Sequence, residues 1–209
     1  MKRILFPIFL SIIFFSCSDI ETVEVKEGDV IIESYTRRKS DFAKQGIYTR
    51  YSVEGKLLEK SEYENNQLHG TQEFYYANGQ ISELVNYTNG VHNGEFKTFF
   101  KNGKLSQEAT YVVGAWEGEL KGYFPNGSLK EVLQYEKGKE MGLFKEYHEN
   151  GNLKTEGAYN GTDSDTDFAL EHGELKKYNE DGEHYQTMDC NNGRCSTTWK
   201  KEGVEINVE

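Results

Sequence analysis

Gly70-Thr71-Gln72-Glu73-Phe74-Tyr75-Tyr76-Ala77-Asn78-Gly79-Gln80-Ile81-Ser82-Glu83-Leu84-Val85-Asn86-Tyr87-Thr88-Asn89-Gly90-Val91-His92-Asn93 is the stretch that decides the fold, because it recurs along the chain. Its first glycine returns every 24 residues as Gly46, Gly70, Gly94, Gly118 and Gly142, and then after 31 as Gly173. Five residues later stands an aromatic each time: Tyr51, Tyr75, Phe99, Tyr123, Tyr147 and Tyr178. Nine residues later comes a second glycine: Gly55, Gly79, Gly103, Gly127, Gly151 and Gly182. In the middle four units that glycine follows an asparagine (Asn78, Asn102, Asn126, Asn150); the outer two have Glu54 and Asp181. A branched aliphatic follows two further on (Leu57, Ile81, Leu105, Leu129, Leu153), with His184 breaking the column. Seventeen residues after the first glycine stands Tyr63, Tyr87, Tyr111, Tyr135 or Tyr159. Agreement in so many columns marks an internal repeat.

Residue chemistry turns the repeat into a hairpin. Asn-Gly supplies the positive φ of tight hairpin turns, and a second turn near Gly90, Gly114 and Gly138 leads into the next unit. The segments between turns have strand length. A glycine or turn residue every few positions excludes helix as the dominant structure. The fold expected is all-β: a single extended, twisted antiparallel sheet of tandem hairpins. Alternation predicts that, after the Asn-Gly turn, the Leu column and the Tyr column share one face. The aromatic ladder (Tyr51, Tyr75, Phe99, Tyr123 and Tyr147 with Tyr63, Tyr87, Tyr111, Tyr135 and Tyr159) is then either the core of a one-layer sheet or a binding surface.

These residues resemble the MORN-repeat variant family, in which a unit runs aromatic, Asn-Gly, Leu, then Glu, Tyr and Gly. The clearest copies are Tyr75 to Glu83 with Tyr87 and Gly90, and Tyr147-His148-Glu149-Asn150-Gly151-Asn152-Leu153-Lys154. The resemblance runs from residue 46 to about 185. It implies an extended antiparallel sheet used in protein or membrane association. Some bacterial members resemble the antitoxin of toxin–antitoxin pairs, the YwqK-like group. The sixth unit departs from the pattern at His184 and Cys190, which points to a cap.

The repeats follow an export signal. Met1-Lys2-Arg3 is basic, and Ile4 to Phe15 is apolar but too short to span a bilayer, so residues 1–16 read as a signal peptide. Phe14-Phe15-Ser16-Cys17 resembles a lipobox with unusually bulky phenylalanines, and makes Cys17 the lipidated first mature residue. Acylation anchors a chain by about 0.8 kcal/mol per buried CH₂. Ser18 is unlike an inner-membrane retention signal, and Ser18-Asp19-Ile20-Glu21 loosely resembles an acidic surface-export tag. The address expected is the cell envelope, lipid-anchored, at the outer membrane. Residues 17–45 read as anchor, capping strands within Val23 to Tyr35 and a spacer from Thr36 to Lys44; 46–189 as the repeats; and 190–209 as a C-terminal capping hairpin.

The chain has 209 residues and a formal charge of −11, which becomes −13 without Lys2 and Arg3. Such a surface repels phosphate backbones, so nucleic acid is an unsuitable partner and a basic protein a suitable one. Hydrophobic residues make up only 36% of the chain, yet it has 14 Tyr and 12 Phe, which suits a thin sheet covered by half-polar rings. If Cys17 is lipidated, Cys190 and Cys195 remain as a pair around an Asn192-Gly193 turn. They read as a disulfide staple; redox or metal chemistry and free thiols are the alternatives. Asp163, Asp165 and Asp167 alternate as calcium ligands can, but Phe168 stands where an EF-hand needs glycine, so a solvated acidic loop is the competing reading. The five histidines are scattered, and no nucleophile elbow, zinc-binding helix or phosphate loop occurs. Glu59, Glu83 and Glu131 recur with the repeat, so paired-carboxylate hydrolysis is the remote reading. The expected function is therefore non-catalytic and cofactor-free: protein binding or scaffolding at the envelope, or an antitoxin-type neutralisation of a cognate toxin.

Overall fold

The computed structural model describes residues 19–163, 165, 166 and 168–203. The signal peptide, Cys17 and Ser18 lie outside the described residues, as do Asp167 and the last six residues. Among the described residues there is no helix, and therefore none long and apolar enough to cross a membrane.

Strands β1 (Ile20–Glu27) and β2 (Val30–Arg38) form a leading hairpin. Arg37 and Arg38, which the sequence assigns to a spacer, complete β2, and Lys44 opens the next strand. The repeats then supply β3 (Lys44–Tyr51), β4 (Leu57–Glu64), β5 (Gln67–Tyr75), β6 (Ile81–Thr88), β7 (Val91–Phe99) and β8 (Leu105–Val112). β9 (Ala115–Trp116) and β10 (Gly118–Tyr123) both pair with β8, as one strand interrupted at Glu117. Next come β11 (Leu129–Glu136), β12 (Lys139–Tyr147) and β13 (Leu153–Thr162). β14 (Ala169–Glu171) and β15 (Gly173–Tyr178) share β13 in the same interrupted way. β16 (His184–Asn191) and β17 (Arg194–Lys200) close the meander. Each pairing is antiparallel with the neighbour in sequence, so the sheet is open and its contacts are local.

The two kinds of turn divide the work differently from the sequence reading. In the Asn-Gly turn only the glycine has positive φ: Gly79, at 85°, ends a loop in which its N–H donates to the Tyr76 carbonyl (2.8 Å). That is a type I turn closed by a left-handed glycine. Both central residues are left-handed only in the second turn: Asn65-Asn66, Asn89-Gly90, Val113-Gly114 and Lys137-Gly138, and again Asn192-Gly193 in the cap. In the first turn of each unit, asparagine before glycine (Asn78, Asn102, Asn126, Asn150) is thus a clip rather than a source of left-handed backbone. Asn78 Oδ1 accepts from the Gln80 N–H (3.1 Å), while its Nδ2 donates to the Lys101 carbonyl in the next unit (3.0 Å). Asn102 reaches Pro125, Asn126 reaches Glu149 and Asn150 reaches Glu180 in the same way, at 2.9, 3.4 and 2.7 Å. A row of amides therefore stitches successive turns together.

The repeat glycine marks a bulge inside a strand. Ser61 pairs with Gln72 but Tyr63 pairs with Leu68, so three residues around Gly70 oppose one. Gly70 has φ 99° there, and a Cβ would collide with the Glu62 carboxylate, so only glycine fits. A smaller bulge follows the aromatic column: Phe74 pairs with Glu83 and Tyr75 with Ile81, which leaves Ser82 over. That extra residue lies between the Leu and Tyr columns, so simple alternation does not carry from one to the other.

Along the middle of one face runs a spine of directly opposed residues: Tyr48, Ser61, Gln72, Val85, Phe96 and Ala109. It continues through Leu120 and Leu133, Phe144 and Gly157, then Leu175 and Met188. Val85, Leu120 and Phe144 are only 3–4% exposed although the sheet is one layer thick. Their cover comes from large side chains flanking the spine on the same face. Burial of an aliphatic or aromatic side chain is worth roughly 1.5–3 kcal/mol, so this spine is the core.

Candidate docking face

The register places the spine between two flanking rows. One row alternates the second Tyr column with whatever stands two residues before the repeat glycine. Its directly opposed pairs are Tyr63 with Leu68, Tyr87 with His92, Tyr111 with Trp116, Tyr135 with Glu140 and Tyr159 with Glu171. Tyr111 and Trp116 stack with centroids 3.8 Å apart, and Tyr159 stacks on Phe144 of the spine at 4.3 Å. His92 Nε2 lies 2.7 Å from the Tyr87 hydroxyl. The other flanking row carries Arg50, Glu59, Glu83, Glu131 and Glu146, with Glu131 directly opposite Glu146.

The aromatic ladder is not one surface. Tyr63, Tyr87, Tyr111, Tyr135 and Tyr159 oppose even-numbered steps from the repeat glycine and lie with the spine; Tyr48–Tyr63, Phe96–Tyr111 and Phe144–Tyr159 are ring contacts. Tyr51, Tyr75, Phe99, Tyr123 and Tyr147 stand at odd steps, which puts them on the reverse face. Tyr75 donates to Glu73 and Tyr123 to Glu108 (2.5 and 2.6 Å), and those carboxylates belong to the reverse face. The reason is parity: five and seventeen residues are both odd, but the one-residue bulge after the Leu column reverses which parity faces the spine.

The reverse face is more exposed and locally neutral. Lys97 pairs with Glu95, Lys121 with Glu119 and Lys176 with Glu174, at 2.6–3.0 Å. A shallow depression of ≈470 Å³ beside Leu143 has a mainly apolar floor with Lys145, Glu156, Glu174 and Lys176 at its rim. Exposed pairs of this kind contribute about 0–1 kcal/mol each.

The spine face changes in charge from end to end. At the start, Lys44 Nζ lies 5.1, 4.5 and 5.0 Å from the ring centres of Tyr35, Tyr48 and Tyr63. Arg50 Nε donates to Glu59 (3.1 Å), whose other oxygen accepts from Ser61 Oγ and Gln72 Nε2, both at 2.8 Å. Burial pushes the Glu59 carboxyl up, but those hydrogen bonds and the guanidinium pull it below the ordinary glutamate range. The Tyr48 hydroxyl is pushed up to about 12 by burial, then by Glu33 and Glu59, with Arg50 opposing. At the far end, Tyr159 is raised further by burial and then by four carboxylates: Glu140, Glu171, Glu146 and Glu131. Tyr135 donates to Glu140 (2.7 Å) and is raised by burial, that bond and Glu131.

Cys190 and Cys195 are directly opposed and disulfide-bonded, with Cα atoms 4.0 Å apart. Cys190 packs with Phe144 and Leu175 in a cluster that Leu133, Tyr159 and Met188 flank. Asp163 Oδ1 is engaged within its own loop by the N–H groups of Asp165 and Thr166 and the Thr166 hydroxyl; Asp167 lies outside the described residues. Among the described residues no group of three His, Cys, Asp or Glu is gathered as for a metal. Glu59, Glu83 and Glu131 lie on one face but in different units, with Gln107 at the equivalent place between the last two.

The residues that sequence reading misses are those two before the repeat glycine: Lys44, Leu68, His92, Trp116, Glu140 and Glu171. Their column has no common chemistry, so periodicity hides it, although its register is as fixed as that of the tyrosines.

Residues 68–89, 93–112, 116–137 and 142–160 match the family model of the MORN repeat variant. No curated protein matches the chain. The matched segments carry both glycines, the Tyr columns and the asparagine clip, and the same hairpin recurs on either side of them. Four segments within residues 68–160 are thus similar to the MORN repeat variant, which is consistent with a repeat protein-binding module.

Proposed function

We propose that this chain is a non-catalytic, lipid-anchored protein of the cell envelope, probing its surroundings with the spine face of the repeat sheet and binding a protein partner there. The observation that carries this reading is the face itself. It joins stacked Tyr and Trp rings, an apolar spine and a row of carboxylates on a rigid, regularly spaced sheet. Rigid aromatic side chains offer large contact area at low entropic expense, and Tyr and Trp dominate the energetics of protein interfaces. The reverse face, with its locally paired charges, offers no comparable contrast. Neither a cofactor nor a nucleic acid enters this reading, and the membrane is reached through the acyl chains on Cys17.

A photo-crosslinking amino acid placed at Tyr111, on the spine face, should capture an envelope partner in cells. The same residue placed at Glu119, on the reverse face, should not. Equal capture from both positions, or from neither, overturns the reading. In the same cells Cys17→Ala should move the protein from the membrane to the soluble fraction; if it stays, the anchor is wrong.

A further inference from the structure

The two ends of the spine face share one layout but differ in where their cations come from. At the N-terminal end the ring cage of Tyr35, Tyr48 and Tyr63 holds the chain's own Lys44 ammonium, and Glu59 holds Arg50. At the C-terminal end the position equivalent to Lys44 is Glu140, between Tyr135 and Tyr159, with Glu171 beyond. Neither Glu140 nor Glu171 has an ion pair among the described residues. Glu131 and Glu146 oppose each other directly, a destabilising arrangement for like charges, with only exposed lysines at 3.4 and 3.9 Å to offset them. Beside them on the same face lies the apolar cluster of Phe144, Leu175 and Cys190, braced by the disulfide.

We propose that this end of the face, around Tyr135 and Tyr159, binds lysine or arginine side chains of a protein partner, each cation seated over a tyrosine ring and against Glu140, Glu171 or Glu131. The proposal rests on the reading of the spine face as the docking surface and names the chemistry of its occupant. Charge complementarity selects the occupant. The same sheet, four units earlier, shows how a lysine fits: an ammonium 4.5–5.1 Å from the centres of three rings. Seated in that way a cation gains from the ring quadrupole and from the carboxylates together, and each contribution grows as water leaves the interface.

The test is calorimetric titration of the mature chain with a hexalysine peptide at low and moderate salt. Glu140→Gln/Glu171→Gln should weaken binding about tenfold, as losing two favourable pairs worth roughly 1.4 kcal/mol together would. Glu119→Gln/Glu174→Gln removes the same charge from the reverse face and should change binding less than about twofold. Glutamine keeps the acceptor that Tyr135 uses, and an unchanged melting temperature verifies folding. Equal weakening by both pairs, or no hexalysine binding by the wild type, overturns the proposal. Displacement by calcium but not by sodium at matched ionic strength would also overturn it, in favour of a divalent-cation site. If the Tyr111 crosslink to a cellular partner survives Glu140→Gln/Glu171→Gln, docking stands and the basic-side-chain reading alone falls.

Discussion

The units that begin at Gly46 and Gly70 and those that begin at Gly118 and Gly142 have the same backbone, yet they hold together differently. In the first pair the spine is Tyr48, Ser61, Gln72 and Val85, and its polar members close a network on Glu59. In the second pair it is Leu120, Leu133 and Phe144, extended by Leu175, Met188 and the disulfide. The N-terminal end satisfies its charges internally with Lys44 and Arg50; the C-terminal end presents carboxylates that have no equivalent partner. The difference teaches that the repeat dictates a backbone and not a core. Glycines, turns and the asparagine row set the register, and the spine positions are then free to be polar or apolar. Where the spine is apolar the flanking charges are released from internal duty, and that is where the face is available to something else.

The strongest way to break this comparison is Phe144→Ala. Removing a ring that is 4% exposed should destabilise by about 3–4 kcal/mol. Amide exchange should rise in β12, β13, β15 and β16 much more than in β3 to β6, because each hairpin contacts only its neighbours. Uniform loss of protection along the sheet would show a single cooperative unit and remove the distinction between the ends.

Acid should act on the other end. The Glu59 carboxyl is held below its ordinary value, so its contribution is present above the ordinary glutamate range and is lost as pH falls through the lower, folded value. Lowering the pH through that window should open β4 and β5 before β12 and β13. Glu59→Gln should remove this acid dependence, and at neutral pH should cost about 1 kcal/mol, because the part-exposed Arg50 loses its carboxylate but keeps water. Urea midpoints of the two proteins across the pH range would check both effects; an unchanged acid limb in the variant would assign the sensitivity elsewhere.

The smallest effect sharpens the claim that turns, not cores, set the register. Val113 is a β-branched residue at φ 49° and is 79% exposed, in a position that Asn65 and Asn89 occupy in earlier units. Val113→Asn should raise the thermal midpoint, by an amount equivalent to about 1 kcal/mol, through relief of left-handed strain. No gain would mean that the strain is offset by a contact that asparagine loses.

The sequence alone was enough to determine the hairpin repeat, its phase from Gly46 to Gly173, the all-β meander and the opposition of Cys190 to Cys195. Each depends on local chemistry: a positive φ that only certain residues tolerate, and a spacing that turns must respect. Three things waited for the tertiary structure. The aromatic columns divide between two faces, because parity is reset by a one-residue bulge just after the turn, which leaves no mark in composition. Asparagine before the turn glycine proves to be a clip to the next unit, a role that exists only once units stack. And the chemically varied column from Lys44 to Glu171 becomes a row only when the register aligns it with the tyrosines. Periodicity reports what every unit has in common; the charge difference that distinguishes one end of the face from the other lies in what the units do not share.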